Sequence, residues 1–128
     1  MADEIKIAAL LAELDSTPMG EPRVRLLTEL LVEEGHDRHE DIVLELGLLG
    51  NPAAVPAIVK AVTIPFSSLV RWGNLHEFQR KCAYALVRIG TLESRIVLEQ
   101  LTRHADPHLR QYGEEGLSVW PLPLKKAT

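Results

Sequence analysis

Aromatic residues make up only 5% of this 128-residue chain, and Cys82 is its single cysteine. One thiol cannot close an internal disulfide, so a reducing, cytoplasmic setting is expected and the fold has to rest on packing. Long apolar runs are missing too. Apolar stretches such as Leu46 to Leu49 or Ala53 to Val59 fall far short of the roughly 20 residues a membrane helix needs, which excludes a membrane span of that kind. Met1 to Lys6 contains no basic segment followed by an apolar one, so no secretory signal is expected. There is no glycine-rich phosphate loop and no serine or cysteine in a recognisable nucleophile context, so no residue is assigned a catalytic role.

Charge is unevenly spread. Residues 1–50 hold 4 Lys/Arg against 12 Asp/Glu, and residues 51–128 hold 10 against 6, for a net charge of −4. The basic side chains of the second half, Arg71, Arg80, Lys81, Arg88, Arg95, Arg103 and Arg110, are interleaved with glutamates. That pattern suits solvated helix faces. With an isoelectric point near 5.7, little counterion release would drive binding to nucleic acid, and none is expected.

What the chain does have is helical periodicity, twice over. Leu46 to Ile58 returns in looser form as Leu86 to Leu98, with Leu46 and Leu86, Gly50 and Gly90, and Ile58 and Leu98 each 40 residues apart. Arg110 to Leu117 begins a further copy. Units of this kind bury their apolar faces against their neighbours, so the expected fold is all-α: a short right-handed superhelix of about seven helices in antiparallel pairs. The chain is read as one domain, with repeats at about 3–35, 38–62, 76–104 and a partial 107–119. Residues 63–75 form an insert and 120–128 a capping tail.

Helix signals place the elements. Ile5, Ala8, Ala9, Leu11, Ala12 and Leu14 form a first stripe that Asp3 could cap, and Pro22 opens a second helix running to about Glu34. A third runs from about Arg38 to Leu49, and a fourth opens at Asn51 and Pro52. Lys60 is the only charge between Pro52 and Phe66. The face of this fourth helix turned from the core is therefore expected to be Ala54, Ala57 and Ala61, either covered by the insert or offered to a partner. The second and third copies, Leu86 to Leu117, stand only 31 residues apart, which leaves about nine extra residues in the insert. Insertions in repeat proteins gather on one edge and often carry recognition. Phe66, Leu69, Arg71 and Trp72 are therefore the expected partner-binding residues, with Arg80 and Arg88 as rim charges. Phe66 and Trp72 could equally fold back over the fourth helix.

Proline after the Gly50-Asn51 break, the run Ala53 to Ile58, and Asp106 to Arg110 leading into Leu117 resemble HEAT repeats of the phycobilisome-lyase-like class. An apolar residue and an arginine precede the first-helix leucine of that class by eight and seven positions. Leu109 and Arg110 match; Phe78 with Gln79, and Arg38 with His39, depart from it. The resemblance covers about Arg38 to Leu117. It implies an armadillo-type frame in a small bacterial protein, and a class that ranges from scaffolds to lyases and a metal hydroxylase.

Two His-Glu pairs, His39-Glu40 and His76-Glu77, resemble the iron-binding pairs of the HEAT-type hydroxylase. They lie seven and ten residues before Leu46 and Leu86 instead of a common six, and each residue turns a helix by about 100°, so they should not converge. His36 with His39, and His104 with His108, have helical zinc spacings but no third ligand in view. The reading is a non-catalytic module, without metal or cofactor, that binds a protein partner or a second copy of itself. The alternative is a lyase-like or metal-dependent enzyme subunit.

Overall fold

A computed structural model describes residues 2–121. The described residues form eight α-helices and one 3-10 turn: α1 (Ala2–Asp15), α2 (Glu21–Leu31), α3 (His39–Leu49), the turn Pro52–Ala54, α4 (Val55–Ala61), α5 (Ser67–Arg71), α6 (Leu75–Ile89), α7 (Leu92–Leu101) and α8 (Pro107–Ser118). The element the periodicity does not predict is α5, five residues inside the insert. Asp3 lies within α1 instead of preceding it, since α1 already begins at Ala2.

Two helix ends match in the backbone. Gly50 ends α3 at φ 68° and ψ 20°, and Gly90 ends α6 at φ 70° and ψ 21°. Their amides donate to the carbonyls of Leu46 and Leu86, both at 3.1 Å. A left-handed residue at this position is where glycine is favoured, because any Cβ would crowd the carbonyl. The helices that follow are capped in the same manner. Asn51 accepts from the amide of Ala53, Thr91 from that of Ser94, and Asp106 from that of His108. The second half of the phrase departs in one place. Pro56 lacks the amide that would close an α-helical bond to Pro52, and the amide of Val55 donates to Pro52 instead, so this helix starts as a 3-10 turn.

Packing follows from these matched units. α3 lies most extensively against α6, and α6 in turn contacts α7 and α8; α2 touches α1, α3 and α4. α3 and α6 run side by side in the same direction: Glu40 near the start of α3 pairs with Lys81 midway along α6 at 3.0 Å, while Gly47 near the end of α3 meets Ala85 and Arg88 further along α6. The approach at Gly47 is close, because an added Cβ would stand 2.9 Å from the Ala85 Cα. One contiguous apolar core runs from Ile7 through Leu27, Leu46, Ile58 and Leu86 to Leu109 and Tyr112.

Arg23 and Arg110 hold the turns that precede their own helices. Arg23 donates to the carbonyls of Leu14 and Thr17, both at 2.9 Å, and pairs with Glu45. Arg110 donates to the carbonyls of His104 and Ala105, both at 3.0 Å. Each arginine is thus a brace for carbonyls of the turn before its helix. At the C-terminal end Trp120 packs on the core with the Arg95 guanidinium 5.4 Å from its ring centre. Of the expected capping tail, residues 122–128 lie outside the described residues.

Candidate functional site

The insert is clamped on one side and open on the other. Phe66 is fully buried, stacked on the His39 ring at 3.8 Å and edge-on to Phe78 at 5.9 Å. Leu69 is buried with it. Both were expected on the partner-binding surface; they are core instead, because burying an aromatic and a leucine is what holds a five-residue helix that could not persist alone. Polar contacts complete the clamp. The Glu34 carboxylate accepts from the Ser67 amide at 3.0 Å and from its hydroxyl at 3.0 Å, and the Ser68 hydroxyl donates to the His36 carbonyl at 3.1 Å. The Asn74 amide closes the far end on the Leu69 carbonyl at 2.8 Å.

What remains outside is Val70, Arg71 and Trp72. Trp72 is 72% exposed and Val70 55%. Arg71 has no ion-pair partner among the described residues and lines an open cleft of about 820 Å³ with Leu11, Glu34, His36, Arg38 and Ser67. Arg38 is already tied to Asp15 at 2.8 Å, which holds that carboxyl below the usual carboxylate range. The cleft therefore presents one cation without an ion-pair partner, together with Asp37, and the exposed Trp72 follows Arg71 in the chain outside the cleft lining.

The two rim arginines do not join this surface. Arg80 pairs with Glu115 at 2.7 Å, and Glu115 also accepts from the Tyr84 hydroxyl at 2.7 Å. The guanidinium and the hydroxyl together hold the Glu115 carboxyl low. Arg88, half-buried, lies instead in a small groove between α3 and α6 with Leu44, Gly47, Lys81 and Tyr84. Of the six residues picked from the sequence, only Arg71 and Trp72 stand together in the open.

The expected outer face of the fourth helix is also reversed. Ala54 and Ala61 are fully buried and Ala57 is partly so, leaving Pro56, Val59 and Lys60 to solvent. The small residues face inward because α4 must fit between its neighbours α2, α6 and α7. Apolar side chains do face outward on α3, where Leu44 and Leu48 are 45% and 54% exposed, one turn apart, as do Leu92 and Ile96 on α7. The position of Leu44 and Leu48 opposite the stripe of Ile42, Val43 and Leu46 was the available signal.

The histidines are accounted for locally. His36 and His39 stack at 4.0 Å, and their Nε2 atoms donate to the carbonyls of Leu30 and Glu33, each at 2.7 Å. His36 Nδ1 accepts from the Arg38 amide at 3.0 Å; His39 Nδ1 is buried without a partner. The His36 ring is thereby neutral. Burial, then repulsion from His36, pushes His39 down to about 4. His76 stacks on His108 at 3.7 Å and shares Nδ1 with the Gln79 side-chain oxygen at 3.0 Å. His104 Nδ1 accepts from the Asp106 amide at 3.0 Å. Glu40 is held by Lys81, so the first His-Glu pair is divided between core and surface. Among the described residues no group of three or more His, Cys, Asp or Glu side chains could hold a metal ion. Cys82 is fully buried, which pushes its thiol far up and leaves it unreactive. No described helix is long and apolar enough to cross a membrane.

In comparisons with known proteins, no family model, no curated protein and no solved structure matches this chain.

Proposed function

We propose that the chain is a short HEAT-like solenoid of a single domain that works as a non-catalytic protein-binding module in the cytoplasm, taking its partner on α5 and the cleft beside it. The paired glycine caps and the parallel placement of α3 and α6 support the frame. The observation that carries the binding role is the two-sided construction of α5: Phe66 and Leu69 fix it in the core while Val70, Arg71 and Trp72 stand in solvent. An exposed tryptophan costs solvation on a lone protein and is repaid on contact. Held rigidly, it also loses little entropy on binding. The free Arg71 guanidinium favours a partner segment that brings a carboxylate to the cleft next to an apolar side chain for Trp72.

The test is affinity purification from the native cell with the wild-type chain and with Trp72→Ala and Arg71→Glu, monitored by circular dichroism. The expected result is a stoichiometric partner captured by the wild type and lost from both variants at unchanged helicity. A partner retained by both variants would move the site elsewhere.

A further inference from the structure

We infer that the insert is an acid-released latch: protonation within the His36–His39 stack frees residues 63–75 from the core, and with them the surface of Val70, Arg71 and Trp72. That such release lets go what this surface holds rests on the binding role proposed above; the opening itself does not. His39 is fully buried between two rings, His36 at 4.0 Å on one face and Phe66 at 3.8 Å on the other, with Phe78 edge-on at 6.1 Å. Its Nε2 donates to the Glu33 carbonyl at 2.7 Å, so the neutral ring carries its lone pair at Nδ1, which is buried without a partner. A proton added there creates an N–H with no acceptor in reach. The Phe66 face attracts a cation, but an unbonded buried N–H and the lost hydration of the charge weigh more.

The surrounding charges do not reverse this. Glu34 and Asp37 favour a charged His39, and a charged His36 opposes it; around His36 itself, Asp37 and Glu33 favour the charge and Arg38 opposes it. The Glu34 carboxylate is committed to the Ser67 amide and hydroxyl. Phe66 of the insert and Phe78 of α6 bring no charge to the stack, and Arg71, the insert's one charge, lines the cleft on the His36 side. On both rings burial is the largest influence. The insert is the part that yields, because its holds meet at this pair: Phe66 covers the His39 ring, Ser68 donates to the His36 carbonyl at 3.1 Å, and Ser67 sits on Glu34. His36, Ser67, Ser68 and Arg71 already wall the open cleft, so water reaches the stack by parting α5 from loop 35–38 while α3 stays packed on α6. A five-residue helix released in this way does not persist alone.

The freed His39 imidazole titrates near 6.5 and the seated one at about 4. Closure is therefore at full strength above 6.5 and weakens as pH falls from 6.5 toward 4. Between about pH 7.5 and about pH 5 the open-to-closed ratio should rise roughly twenty- to thirtyfold. Amide hydrogen exchange read by NMR on the chain alone tests this. The amides of Val70, Trp72 and Asn74, bonded to the carbonyls of Phe66, Ser68 and Leu69, report the opening, and those of α7 report the rest of the fold. At neutral pH the insert amides should exchange sooner than those of α7. Corrected for the intrinsic pH dependence of exchange, their protection should fall roughly twenty- to thirtyfold over that pH range, with most of the fall absent from His39→Phe. Protection that stays flat in the wild type, insert amides that exchange only together with α7, or the same fall in wild type and His39→Phe would each overturn the latch. Because no partner enters the measurement, failure to capture one would remove the binding role and leave the latch standing.

Discussion

Acid should loosen this protein at the insert before it acts on the surface carboxylates. His39 is fully buried, stacked between His36 and Phe66, and spends its single N–H on the Glu33 carbonyl. Its folded value of about 4 lies below the 6.5 of an ordinary histidine. Stability from keeping the ring neutral is therefore fully present above 6.5 and is lost as pH falls from 6.5 toward 4. At about pH 5 the unfolded imidazole is protonated roughly thirtyfold over its neutral form while the folded one is about a tenth protonated. The ratio corresponds to about 2 kcal/mol lost relative to neutral pH. His36, also held low by burial, adds in the same direction. Asp15, Asp106 and Glu115 are held below ordinary carboxylate values of 3.8, 3.8 and 4.5, so their contribution fades at lower pH. Urea unfolding followed by circular dichroism at a series of pH values isolates the window, with His39→Phe as comparison. The variant should be less stable at neutral pH by about 1 kcal/mol, for the lost bond to Glu33, yet lose about 2 kcal/mol less on acidification to about pH 5. Equal losses in wild type and variant would refute the assignment.

Gly47→Ala places a methyl 2.9 Å from the Ala85 Cα, which forces α3 and α6 apart; urea midpoints should show a loss of about 1–3 kcal/mol. Gly90→Ala meets no close contact but must hold φ 70°, and the same assay should show a smaller loss of about 1 kcal/mol. Glu34→Ala removes the acceptor for the Ser67 amide and hydroxyl. Limited proteolysis should cut faster within residues 63–75, while the global midpoint falls by no more than about 1–2 kcal/mol.

Much of this was legible because caps are local. Gly50, Asn51, Gly90, Thr91 and Asp106 each decide the path of the chain within one helical turn of themselves, so their spacing announces the repeat without knowledge of what packs on it. α5 was not legible as a helix. Five residues carry no periodicity, and the clamp depends on Glu34 and His39, which lie some 30 residues earlier in the chain. The outward residues were half legible for a related reason. Phe66, Leu69 and Trp72 are all large and apolar, and composition cannot say which of them a fixed helix turns inward.

The same limit misled the reading of α4 and hid α3. Ala54, Ala57 and Ala61 look like a bare face only when the width of the slot between α2, α6 and α7 is unknown. Leu44 and Leu48 look like core until α6 is seen to occupy the other side of α3. The sequence by itself determined the helical class and the caps at Gly50, Asn51, Gly90, Thr91 and Asp106, since each is written in residues close along the chain. Which way the insert's aromatics turn, that His39 is sealed without a partner for Nδ1, and that Leu44 and Leu48 are left facing solvent were decided only in the tertiary structure. Those are properties of surfaces meeting at distance, and burial has no local signature.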